Sequence, residues 1–204
     1  MNRSICVYCG SSDGADPSFL ESAYAVGRQI GEAGYGLVFG GGMRGLMGAV
    51  ASGAKDSGGH VTGIIPDFLL DRERGDGNPS LFDDYIVVKS MHERKHLLFD
   101  RSDAFVALPG GIGTLEEIVE IMTWAQLGRH EKPIVFASFN DFWAPMEKLY
   151  SHMGTAGFVH SADRLRPITV TTAEKVLPAV EAGWRENAGP DESDDSGVAP
   201  IEKL

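Results

Sequence analysis

Residues 109 to 117 read Pro109, Gly110, Gly111, Ile112, Gly113, Thr114, Leu115, Glu116 and Glu117, directly after the apolar run AFVAL and at the head of an amphipathic stretch. A buried strand that runs through glycines into a helix is suited to holding an anion. The glycines let backbone N–H groups approach an oxyanion, Thr114 can add a hydroxyl, and the helix start contributes roughly half a positive charge. No Lys-Ser or Lys-Thr pair follows the glycines, so this is not the loop that grips nucleoside triphosphates with a lysine. Glu117 is expected in the first turn of the helix. Thr114 and Glu117 have capping-box spacing, which would explain the glutamate structurally. A carboxylate close to a glycosidic bond could instead position water or stabilise an oxocarbenium-like charge on a ribose.

A second cluster, SMHERKHLLFDR, starts with another capping-box pair, Ser90 and Glu93, and places Arg94 and Lys95 in the opening turn of a helix. Cations there oppose the helix dipole, so two in a row point to an anionic partner or to neutralisation by Glu93 and Asp100. The same residues spell H-E-x-x-H. His92 and His96 have zinc-ligand spacing, Glu93 stands as a would-be base and Glu116 as a distant third ligand. Against that reading, Arg94 and Lys95 would put positive charge beside the metal.

Two further patterns bear on the same chemistry. Gly40, Gly42 and Gly45 give G-x-G-x-x-G, the dinucleotide-fold spelling, but in the second strand–helix unit and without an acidic residue ending the following strand. The triple glycine, Gly40, Gly41 and Gly42, is therefore expected to form a second wall of one nucleotide pocket. Gly10 and Ser11, within the CGSS segment, open the first strand–helix loop and could add N–H and hydroxyl donors. Cys6 and Cys9 spell C-x-x-C, a redox or half-zinc spacing, yet residues three apart on a strand point to opposite faces. Met43, Met47, Met122, Trp124 and Leu127 read as core or interface positions.

The elements that must position these groups are legible as alternation. SICVYC, YGLVF, HVTGII, DYIVV, AFVAL, PIVFAS and ITVT read as strands. Helices are predicted over 17 to 33, 44 to 57, 91 to 102, 114 to 128, 141 to 153 and 172 to 185. Nearly continuous apolar strands between helices imply a single-domain, doubly wound α/β fold, Rossmann-like, with a mostly parallel sheet covered on both faces. Its helix starts and strand ends share one edge, where ligands collect. Residues 66 to 83 interrupt the rhythm with a polar stretch expected to be a mobile loop at that edge.

The chain divides on this reading into a nucleotide-binding catalytic domain over 1 to 185 and a disordered acidic tail over 186 to 204. The tail holds six acidic side chains against Lys203. The 204 residues are 43% hydrophobic, enough for one core, and the 26 glycines exceed the roughly 7% average. A net charge of -11 argues against a nucleic-acid surface. The start lacks an apolar leader and no long apolar run follows, so the expectation is a cytoplasmic protein without membrane or nucleic-acid partners.

Taken together, VYCGSS, FGGGMRGLMG, SMHERK and PGGIGTLEE resemble, in order and approximate spacing, the Lonely guy (LOG) family of cytokinin riboside 5'-monophosphate phosphoribohydrolases, often labelled lysine decarboxylases. No residue here is singled out as a pyridoxal-phosphate lysine. The resemblance implies hydrolysis of an adenosine-type monophosphate, with or without an N6 substituent, to free base and ribose 5-phosphate, with no organic cofactor. It assigns catalysis to Arg94 and Glu117 and puts Lys95 and residues Gly110 to Glu116 around the substrate. It also implies a homodimer or higher homo-oligomer with the site near the interface. A non-catalytic nucleotide or molybdenum-cofactor carrier is the alternative in another class, since related Gly-loop folds bind without turnover.

Overall fold

The computed structural model describes residues 3–73, 79–159 and 165–188. Seven parallel strands form one sheet in the order β4-β3-β2-β1-β5-β6-β7. They are β1 (Ser4–Tyr8), β2 (Gly36–Phe39), β3 (His60–Pro66), β4 (Asp84–Val88), β5 (Ala104–Ala107), β6 (Ile134–Ala137) and β7 (Ile168–Val170). Each coincides with a strand read from the sequence. The physical reason is burial on both faces: β5 and β6 are buried throughout, and β1 is buried from Ile5 to Tyr8.

Successive residues of β1 feed opposite cores. Ile5, Val7 and Cys9 pack with α1 (Ser18–Glu32), α2 (Gly45–Asp56) and α7 (Val176–Asn187). Cys6 and Tyr8 pack on the other face with residues of α4 (Met91–Asp100), α5 (Ile112–Gln126) and the Trp143 ring ahead of α6 (Ala144–Thr155). This is the expected doubly wound α/β architecture, and it places Cys6 and Cys9 in different layers. Both cysteines are free and buried, and burial pushes both thiols far above their ordinary range, so neither is a thiolate.

Three expectations are refined. Of the 66 to 83 segment, expected as a loop, residues 74–78 lie outside the described residues; the described part carries a 3-10 turn, Asp67–Leu69, then the short helix α3 (Leu70–Glu73) and a second 3-10 turn, Pro79–Leu81. Phe82 then packs against Phe39 and Tyr85, which anchors the return into β4. The sixth helix begins at Ala144 rather than at 141, after a turn over Phe139–Asp141. The boundary drawn at 185 falls inside α7, and residues 189–204, most of the acidic tail, lie outside the described residues. Among the described residues no helix is long and apolar enough to cross a membrane.

Candidate active site

From β1 the chain steps outward to β2, β3 and β4, then returns through α4 to β5 on the other side of β1. The strand order therefore reverses between β1 and β5, the place where such sheets leave a crevice beyond their carboxyl ends. The loops leaving these two strands meet there: Gly10 N–H donates to the Pro109 carbonyl at 3.0 Å. Between them lies a cleft of about 280 Å³, near the lower end for small-molecule sites. Gly10, Ser11, Gly111, Gly113, Thr114, Glu116, Glu117 and Arg94 line it, together with Tyr8, Cys9, Gly40, Met47, Leu69 and Met91.

Helix α5 starts two residues before the expected position. Gly111 is its N-cap, in extended conformation, and no side chain caps it. The capping box between Thr114 and Glu117 therefore does not form, because Thr114 already lies inside the first turn. Glu117, the sixth residue of the helix, moves to the second turn. With the bland role of the glutamate gone, the first-turn amides of Ile112, Gly113 and Thr114 are left without a capping carboxylate, and no acidic residue occupies that turn. An ideal β-carbon on Gly111 or Gly113 would meet nothing within 4 Å, so that side of the loop is open to a ligand.

Opposite stands Arg94, carried by α4. Ser90 caps this helix, its hydroxyl accepting from Glu93 N–H at 3.1 Å, while the Glu93 carboxylate accepts from Lys89 N–H at 2.9 Å instead of from Ser90 itself. The cap leaves Arg94 one turn in and facing the sheet. It is 6% exposed, and its Nη2 lies 3.8 Å from Glu117 Oε1 and 3.4 Å from the Gly40 carbonyl. Nη1 reaches the Met91 sulfur at 3.9 Å. The buried Nε has no partner. A buried guanidinium donor without an acceptor is costly, and this one is free to donate to an oxygen brought in from outside the chain. The neighbouring Tyr8 phenol is held well above its ordinary range, by burial first and by the charge of Glu117 among its other causes, and stays protonated.

Comparison with known proteins bears on this site. The family described as "Possible lysine decarboxylase" matches residues 47–180. The cytokinin riboside 5'-monophosphate phosphoribohydrolase LOG of Oryza sativa subsp. japonica is 41% identical over 179 residues, 88% of this chain and 73% of the relative. The enzyme of that name from Rhodococcoides fascians is 37% identical over 182 residues, covering 88% and 90%. The chain belongs to the LOG family. Among solved structures, the molybdenum cofactor carrier protein of Chlamydomonas reinhardtii superposes with a TM-score of 0.68 at 21% identity, over 91% of this chain and 99% of that one. The molybdenum cofactor binding protein of Rippkaea orientalis gives 0.65 at 21%, over 89% and 98%. At such identities these two share the fold alone with this LOG family member.

Not every residue that the LOG resemblance puts around the substrate has its side chain on the cleft. Lys95 is not among the residues lining the cleft; it ties α4 to α5, its Nζ 2.8 Å from Glu116 and 3.2 Å from Glu120, and the Glu116 bond leads the effects that hold its ammonium above the usual lysine range. Glu116 is on the cleft rim but engaged by Lys95. Ile112 is 81% exposed and Leu115 packs on the α4–α5–α6 side of the core. Gly110 backs the loop: a β-carbon there would fall 2.2 Å from Thr114 Oγ1. Gly41 and Gly42 are buried behind Gly40, with Gly41 (φ +77°) turned against Ile64 N. The FGGG turn meets the cleft through Gly40 alone.

The sequence reading missed Tyr8, Leu69 and Met91. Tyr8 had a signal, being the last residue of β1 at the ligand edge, and Gly40, the first residue after β2, is the part of the expected glycine wall that lines the cleft. Leu69 had none, because its segment reads as loop. Met47, read as core, is both core and cleft wall. The zinc reading loses its ligands to other partners: Glu93 is spent on Lys89 N–H, His96 pairs with Asp100 at 3.0 Å on the surface, and Glu116 holds Lys95. Among the described residues no group of three His, Cys, Asp or Glu could hold a metal ion.

Proposed function

We propose that this LOG family protein hydrolyses the N-glycosidic bond of an adenosine-type nucleoside 5'-monophosphate, N6-substituted (cytokinin) forms included, to free base and ribose 5-phosphate. The observation that carries the reading is the meeting of a partly buried carboxylate and a buried guanidinium, Glu117 and Arg94, 3.8 Å apart beside an open, uncapped helix start. The names of the curated relatives support the same reaction.

On this reading the 5'-phosphate lies against the amides of Gly111 to Thr114, where the helix dipole favours negative charge. Glu117 orients a water toward the anomeric carbon and stabilises the positive charge that the ribose gains as its bond to the base lengthens. The water oxygen forms the new bond to that carbon, and the departing base leaves with a proton in exchange. Arg94 fixes the carboxylate through Nη2 and offers Nε to a substrate oxygen. Lys95 acts indirectly, by joining the two helices that carry the pair. Glu117 and Arg94 are the catalytic residues of this proposal.

Assembly as a homodimer or larger homo-oligomer in the cytoplasm belongs to the same reading. The assembly is supported by the apolar side chains Ile112 and Val119 on α5 and Leu127 at its C-terminal end, 81%, 39% and 66% exposed. The deciding experiment incubates the purified protein with AMP and with N6-prenylated AMP and follows free base by chromatography. Release of base from either supports the proposal. Binding of both without release would overturn it in favour of a carrier.

A further inference from the structure

The loop after β6 lies at the same sheet edge as the loops after β1 and β5, since the three strands are parallel neighbours. It does something unusual there. Asn140 and Asp141 both adopt left-handed backbone conformations, φ 50° and 58°, with no glycine between them. Non-glycine residues hold such conformations only where the surroundings over-determine them, and such sites cluster at functional positions.

The surroundings here are the two arms of the cleft. Asn140 Nδ2 donates to Asp16 Oδ2 at 2.9 Å and to Ser18 Oγ at 3.2 Å, pinning the far end of the β1–α1 loop. Three residues on, the Trp143 amide donates to Ser138 Oγ at 2.9 Å, and its indole Nε1 donates to the Ala107 carbonyl at 3.1 Å. Ala107 is the last residue of β5, two before Pro109, whose carbonyl receives Gly10 N–H. Trp143 is 4% exposed and wedged edge-on against Phe136 and Phe142, so its indole N–H has a fixed aim. One turn thus grips the arm bearing Gly10 and Ser11 and the arm bearing Gly111, Gly113 and Thr114. None of its own residues lines the cleft.

We propose that the β6–α6 turn is the buttress of the anion cradle, with Asn140 and Trp143 as positioning residues that set the spacing between its two arms. The inference rests on the phosphate placement proposed above. Its consequence is specific: loosening the turn should weaken the grip on a phosphate-bearing ligand and spare a ligand that lacks one.

The test uses Asn140→Gly, which tolerates the left-handed backbone and removes only the side-chain bonds, and Trp143→Phe, which keeps an aromatic ring and removes the indole N–H. Binding of ribose 5-phosphate and of adenine to the full chain is measured calorimetrically, with turnover assayed in parallel. The expected result is a ribose 5-phosphate Kd raised about three- to tenfold by each variant, with the adenine Kd unchanged. A role confined to packing would lower the melting temperature and leave both constants as they were. That result overturns the inference, as does equal weakening of the two ligands. Failure of the unaltered protein to bind ribose 5-phosphate removes the cradle and the buttress together. Failure to turn over AMP while the ribose 5-phosphate difference persists removes only the enzymatic reading.

Discussion

Replacing Gly40 with alanine moves Arg94 without deleting it. The backbone at Gly40 is outside the left-handed region, so alanine is allowed there conformationally. Its β-carbon would stand 2.1 Å from Arg94 Nη2 and 3.3 Å from Cζ, with the Met47 sulfur next at 3.5 Å. Ordinary contact begins near 3.4 Å, so the guanidinium tip has to retreat by more than about 1 Å. The obstacle is the end of a flexible side chain and not backbone, which leaves the fold free to survive. The retreat pulls Nη2 from its place 3.8 Å from Glu117 and 3.4 Å from the Gly40 carbonyl. Misplacing a catalytic group by about 1 Å can cost on the order of 10²-fold in rate. The expected outcome is a kcat on AMP or N6-prenylated AMP lowered by roughly that factor, with KM changed far less and the melting temperature within a few degrees of the parent. Steady-state kinetics and a thermal melt on the same preparation check it. Full kcat in Gly40→Ala would refute the claim that Arg94 must stand where it does, and a loss of activity matched by unfolding would refute the claim that only the guanidinium moves.

Other perturbations follow from the same structure. Glu117→Gln, close to isosteric but uncharged, should lower kcat by about 10² to 10⁴-fold with a normal melt, as measured by base release; near-normal turnover would remove the carboxylate from the chemistry. Lys95→Met should cost at most about 1 kcal/mol in urea denaturation, less in high salt, while leaving ribose 5-phosphate affinity intact; a large loss of affinity would return Lys95 to the substrate. His130 tests pH dependence. Its Nδ1 accepts from Lys132 N–H at 3.1 Å, so Nε2 carries the proton and donates to the Ile121 carbonyl at 3.0 Å. Burial is the main cause holding the ring below the ordinary histidine range. The unfolded chain takes up a proton near pH ~6.5, before the folded one does. The contribution is therefore complete above that pH and is lost as pH falls toward the lowered folded value. His130→Gln should flatten the fall in melting temperature between about pH 7 and 5, and parallel curves for the two proteins would sink the account.

The strands were readable because parallel strands covered on both sides must be apolar throughout, and Ala104 to Ala107 or Ile134 to Ala137 have no polar face to confuse the pattern. Helix starts were less so. At α5 the spacing of Thr114 and Glu117 suggested a cap, but Gly111 ends the extended backbone and has no side chain to announce itself. The pairing of Arg94 with Glu117 was suggested by the LOG resemblance and by helix starts sharing one edge; the distance depends on how α4 and α5 lie over β5, which no local pattern encodes. The ion pairs of Lys95 were hidden for the same reason, since its partners Glu116 and Glu120 are on another helix. The paired grip of the β6–α6 turn was equally hidden, being made by an asparagine and a tryptophan whose targets lie far away along the chain.

The pairing of Ile5 with Ala104 has a consequence for biosynthesis. The two strands whose loops face each other across the reversal are joined by about half the polypeptide, so β1 is made long before its inner neighbour exists. A nascent chain can pair β1 with β2 early, at modest loop-closure cost, but the edge awaiting β5 stays unsatisfied until the ribosome has released residues past 107. No shorter translation product can assemble the pocket, so ligand affinity in this protein reports completed long-range assembly.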